Sequence, residues 1–209
     1  GVYLQKEQIN KSFLRRINID DEGDLFKVVS GTLEPLGDES LYKGQYEKKE
    51  GNDDYSTLID LIYLIDTCTQ ENFPSQISQT VDLRNFASWF ALNNILVNED
   101  FYTRNYYLYK PPNKKWIFIP WDCDYTLRYI KLTESIEMFA KGDNIHPFYS
   151  RFMSIPQFRV AYCNRINQIL FMYLTSSYVS EITDSLYRLI ERDAKCDMWK
   201  MYGENPESF

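Results

Sequence analysis

The chain reads as an α+β protein, mainly helical, with a small β-hairpin that carries acidic residues. Two observations predict this. Apolar residues recur at helical spacing at Leu58, Ile59, Leu61, Ile62 and Ile65, again at Leu83, Phe86, Ala87, Phe90, Ala91, Ile95 and Leu96, and once more over 146–193. Between them stand two aromatic and aliphatic runs, NYYLYK (105–110) and KWIFIPWDCD (115–124), separated by PPNK in the manner of a hairpin with a proline-rich turn.

The elements follow in order. GVYLQKEQI (1–9) alternates as a strand, and NKSFLRRI (10–17) has the polar start and apolar spacing of a short helix. Residues 20–53, rich in Asp, Glu, Gly and Lys with apolar islands at LFKVV and LYKG, read as an irregular insertion. The 54–97 region holds helices, one from Tyr55 to about Asp66 with Ser56 as its cap, and one over 82–97. NFPSQISQTVDL between them reads as a connection in which Pro74 breaks the helix. In the hairpin, Pro120 offers no ladder N–H and ends the second strand. A polar loop (131–147) then leads to a helical tail over 146–193 with one short and two longer helices.

Length and composition set limits. At 209 residues, 44% hydrophobic and 16% aromatic, the chain is long and apolar enough to pack one core, and a single domain over 1–209 is the expectation. A net charge of -7 argues against a nucleic-acid partner, since phosphate-backbone affinity needs clustered Lys and Arg. No apolar run has the length of a membrane span, and no signal-peptide pattern is present. The opening at Gly1, inside a strand-like stretch, is expected of a fragment or a processed product. Cys68, Cys123, Cys163 and Cys196 form no C-x-x-C pair, so most are expected to be buried free thiols, with a disulfide between two of them as the alternative.

The acids around the hairpin need a chemical reason. Asp100 and Asn105 are spaced D-x-x-x-x-N, and Asp122 follows the second run. Protein-kinase chemistry uses that order: an Asp accepts the acceptor's hydroxyl proton, an Asn five residues on holds magnesium, and a later Asp binds metal on the phosphates. If strand alternation persists past Trp121, Asp122 and Asp124 face the same way, and two repelling carboxylates make a metal candidate. D-x-x-x-x-N and D-x-D also occur in ordinary solvated turns; their placement after an apolar helix and around one hairpin favours the chemical reading. Arg104 either contacts a phosphate or pairs with Glu99 or Asp100.

The stretch NED, RNYYLYKPPNKKWIFIPWDCDYTL (98–127) resembles the signature of the spore-coat CotH-like kinases, secreted or surface-associated atypical protein kinases: N-x-D, NYYLY, a basic turn, then KW-x-F-x-P-W-D-x-D-x-T. GVYLQKEQINKSFLRR (1–16) and HPFYSRFMSIPQFRVAYCNRI (146–166) are similar to two further segments of that family. The resemblance implies a protein-kinase-like C-terminal lobe, with 98–127 as catalytic loop and hairpin. It implies ATP with Mg2+ or Mn2+ as cofactors, and Ser/Thr of secreted or surface proteins as substrate. Location would be extracellular or on the cell or spore surface. Asp100 would be the catalytic Asp, and Asn105, Asp122 and Asp124 the metal ligands, with Arg104 near the nucleotide; Glu7 receives no role. No His-Arg precedes Asp100, and Cys123-Asp124 stands where ordinary kinases have Phe-Gly. The glycine-rich loop and phosphate-pairing lysine of an N-terminal lobe would precede Gly1, so the chain is expected to be a large lobe, inactive alone. The alternative is a catalytically silent coat or adhesion module whose acids bind a structural divalent ion.

Other chemistries find less support. His146 is the only histidine and, followed by Pro147, reads as the start of a helix or loop. No G-x-S-x-G marks a hydrolase nucleophile. Paired carboxylates also serve glycoside hydrolysis, which depends on a separation that sequence does not contain. Trp116 and Trp121 read as core residues, Lys114 and Lys115 as solvated.

Overall fold

The computed structural model describes residues 6–126 and 146–196. Contacts divide the chain into two compact units, one over Ile9–Ile166 and one made of Gly1–Gln8 with Asn167–Phe209. The fold is α+β, as the alternation of patterns predicts.

The larger unit is built on a four-stranded antiparallel sheet. In chain order its elements are α1 (Lys11–Arg16), β1 (Asp24–Val28), α2 (Glu39–Gln45), β2 (Tyr46–Glu50), α3 (Ser56–Thr67), α4 (Phe73–Thr80), α5 (Leu83–Ile95), β3 (Tyr106–Lys110), β4 (Ile117–Pro120) and α6 (Pro147–Ser154). Helix α7 (Pro156–Met172) begins in this unit, and α8 (Ser176–Cys196) lies wholly in the other. The strand order is β2-β1-β3-β4.

Strand β3 is buried on both faces, which explains why NYYLYK reads as a continuous apolar run rather than an alternation. Leu25, Tyr107, Tyr109 and Ile119 share one face with Ile9 and Leu14. Tyr106 and Phe118 occupy the other and meet Trp89 of α5, with ring centroids 4.9 Å away in each case. Around Phe86 gather Phe148, Phe152, Tyr149 and Phe118, and Phe90 stacks on Tyr149 at 4.5 Å with a 6° interplanar angle. Each such buried ring contributes about 2–3 kcal/mol by removal from water, which fixes α6 against α5. Arg151 reinforces the joint: its guanidinium donates to the carbonyls of Ile65, Asp66 (3.4 Å) and Cys68 at the end of α3 and lies 3.9 Å over the Phe73 ring.

Several expectations are corrected. The supposed insertion 20–53 supplies two of the four strands and a helix, and LFKVV is the second strand in from the edge. Its charges misled: β2, YEKKE, is an edge strand whose outward positions are solvated, a composition that discourages edge pairing. Gly23 marks the close approach that lets β1 enter beside β3, because a Cβ there would sit 2.1 Å from the Lys110 carbonyl oxygen. Pro74 starts α4 rather than breaking a helix, since the first turn needs no proline N–H. Ser56 is the first residue of α3 and not its cap; Asp54 accepts from its N–H at 2.8 Å.

The short helix at 11–16, the long helix at 83–95, the hairpin and the three C-terminal helices stand where the spacing predicts them. Residues 6–9 carry no helix or strand, while 1–5 of the expected first strand and most of the expected 131–147 loop lie outside the described residues. All four cysteines are free, but Cys68 and Cys123 are only half-buried and Cys163 and Cys196 are exposed, against the expectation of buried thiols. His146 precedes the first turn of α6 as expected. Trp116 is a core residue, whereas Trp121 is half-buried. No described helix is long and apolar enough to cross a membrane.

Candidate active site

The hairpin's outer edge is closed before its ends are used. Trp116 donates its N–H to Thr80 O (2.8 Å) and accepts from the N–H of Asp82 (2.9 Å). The Asn85 side chain then pairs with Phe118 as a strand would, Nδ2 donating to the carbonyl (3.1 Å) and Oδ1 accepting from the N–H (2.7 Å). Helix α5 thus holds β4 directly, and its C-terminus leads into the loop bearing Asp100.

That loop is tied to the helix at both sides of Asp100. Asn98 Nδ2 donates to Asn93 Oδ1 (2.8 Å), Asn93 Nδ2 to Trp89 O (2.8 Å), Tyr102 OH to Asn94 Oδ1 (3.3 Å) and Asn94 Nδ2 to Phe90 O (3.0 Å). Sequence patterning treats Asn93 and Asn94 as ordinary helix residues; their only signal is a pair of amides on an otherwise apolar helix end.

Asp100 sits in a single 3-10 turn, Glu99–Tyr102. Its backbone carbonyl accepts from Arg104 N (3.0 Å), and its carboxylate meets Arg104 Nε at 3.4 Å. Arg104 is 57% exposed, so the pair contributes at most about 1 kcal/mol. Of the two readings of Arg104, the ion pair with Asp100 is the contact present.

Asn105 joins the hairpin's ends. Its side-chain Nδ2 donates to Asp100 Oδ2 (3.3 Å) and to the carbonyl of Asp122 (3.4 Å), while its own carbonyl accepts from Trp121 N (3.1 Å). Three residues that sequence places 22 positions apart at most are therefore linked through the Asn105 amide: the Asp100 carboxylate, Asn105 and the Asp122 backbone.

The backbone is strained here. Val97 (φ 52°), Asn105 (φ 60°) and Asp122 (φ 53°) all lie in the left-handed region. Asn and Asp accept that conformation readily, but a β-branched Val costs about 1–2 kcal/mol there. Such strain persists only where surroundings over-determine it, and it gathers at functional sites.

The strand alternation expected beyond Trp121 does not persist. β4 ends at Pro120, Asp122 turns left-handed, and Cys123–Tyr125 form a 3-10 turn. Asp122 is half-buried and Asp124 exposed, so the two carboxylates are not presented as a strand pair. Both still act on the same neighbourhood: burial first, then the negative charges of Asp122 and Asp124, raise the Cys123 thiol above its ordinary pKa.

Among the described residues no group of three or more His, Cys, Asp and Glu side chains is disposed to hold a metal. Magnesium does not require one, because it is commonly held by one or two carboxylates with substrate phosphates and water completing the shell. Asp100, Asn105 and Asp122 carry hard oxygen donors of that kind, and with the Asn105 nitrogen donating to two oxygens, Oδ1 is the end of its amide that could ligate. The donor set fits magnesium or manganese.

The family model described as CotH kinase protein matches residues 1–207. The chain belongs to that family. The inner spore coat protein H of Bacillus subtilis (strain 168) is 27% identical over 212 residues, covering 96% of this chain and 58% of the relative. This CotH-family chain thus spans less than two thirds of that relative's length. Its acidic hairpin lies within the matched region.

Proposed function

We propose that this CotH-family chain forms the large lobe of an atypical protein kinase that transfers the γ-phosphate of ATP to Ser/Thr hydroxyls of secreted or surface proteins. The observation that carries the reading is the Asn105 amide, which links the Asp100 carboxylate to the Asp122 backbone. Spore-coat naming of the B. subtilis relative supports a location at the cell or spore surface.

In this reading Asp100 orients the acceptor hydroxyl and takes its proton. Asn105 and Asp122 hold the metal, with Asp124 as a supporting ligand from the exposed side of its turn. Arg104, exposed beside Asp100, would turn to a phosphate oxygen. Magnesium or manganese, when bound with ATP, would supply positive charge against what develops on the transferred phosphoryl group. The residues themselves contribute position and charge, which is most of what this chemistry asks.

The other reading, a silent coat module with a structural ion, predicts metal binding without transfer. Radiolabelled phosphate incorporation by the full-length protein, with Asp100→Asn and Asp122→Asn beside it, separates the two. Incorporation abolished in both variants is the expected outcome; incorporation unchanged by either would sink the kinase assignment.

A further inference from the structure

The amides at the end of α5 do more than fill the core. Asn93, Asn94 and Asn98 are all buried, Asn98 completely, and Asn98 Oδ1 has no partner among the described residues. Apolar residues of similar volume would satisfy that core better, because a buried polar atom without a partner is destabilising. What the amides accomplish is directional. One bond reaches the loop two residues before Asp100 and the other two residues after it.

We infer that Asn93 and Asn94, with Asn98 and Tyr102 as their loop partners, are positioning residues that hold Asp100 against the Asn105 amide. The inference rests on the kinase reading for its kinetic consequence, though not for its structural one. Backbone bonds Val97 N to Asn94 O (3.1 Å) and Asn98 N to Asn93 O (3.0 Å) keep the loop attached when a side-chain bond is removed. Losing the clamp should therefore change where Asp100 points rather than whether the loop exists. The left-handed Val97 adjoins Asn98, so the clamp also sustains a conformation the chain would otherwise leave.

The test uses the full-length protein with Asn93→Leu and, as the milder change, Tyr102→Phe, which removes one hydroxyl. Backbone amides over 98–105 should exchange about tenfold faster while those inside α5 keep their protection, as local opening requires. The Asn105 side-chain amide resonances should move, and kcat should fall about tenfold with KM for ATP unchanged, because misplacement of an aligned group costs rate before binding. Exchange that is unchanged in the loop, exchange that rises equally throughout α5, or a loosened loop with undiminished kcat would each overturn the inference. A wild-type protein that transfers no phosphate while its variants loosen the loop and shift Asn105 would defeat the kinase reading and leave the clamp standing.

Discussion

The Asn105 side chain donates to the Asp100 carboxylate at 3.3 Å from a left-handed backbone position. The two properties can be separated, because glycine adopts that conformation without a side chain. Asn105→Gly is expected to retain the fold and lose phosphate incorporation by about 100-fold or more, the scale of removing a preorganised polar group. Thermal denaturation alongside the transfer assay checks both halves.

Asn85 closes the β4 edge by pairing with both backbone groups of Phe118. Asn85→Leu leaves a donor and an acceptor without partners, at a cost of roughly 2–4 kcal/mol. Urea denaturation should show the midpoint falling with little change in slope. Light scattering at rising concentration should show association through the opened edge.

Arg151 caps α3 through three carbonyls and covers Phe73. Arg151→Ala is expected to destabilise by about 2–4 kcal/mol, since charge-assisted bonds and a cation over an aromatic face are lost together. Arg151→Lys should recover only part of this, because a single ammonium cannot span the fork. Chemical denaturation of the two variants gives the comparison.

His146 is 1% exposed and stacked on Tyr149 at 4.0 Å, and burial lowers its pKa from 6.5 to about 3. The unfolded chain then binds a proton that the folded one refuses between those values. Stability is complete above pH 6.5 and falls as pH drops towards 3. The loss should reach about 2 kcal/mol at pH 5 relative to pH 7.5. His146→Phe, which keeps the stacking, should flatten that part of the pH profile in urea titrations; an unchanged slope would refute the assignment to His146.

Much of this protein is legible in its residues. The helices at 11–16 and 83–95 and the tail after 146 follow from apolar periodicity, which depends only on local geometry. The hairpin and its end at Pro120 follow from aromatic runs and a missing ladder donor. The spacing of Asp100, Asn105 and Asp122 was readable too, and the fold brings those three together. Tertiary context decided the rest. β1 and β2 are short and partly charged, so only the ladders that join β1 to β3 and β2 to β1 make them strands. Asp122 and Asp124 part company because a left-handed turn, and not strand alternation, follows Trp121. The hold of Asn93 and Asn94 on the Asp100 loop is equally invisible along the chain: helical spacing says which way an amide faces, but its hydrogen-bond partner is chosen only when the following loop folds back over it.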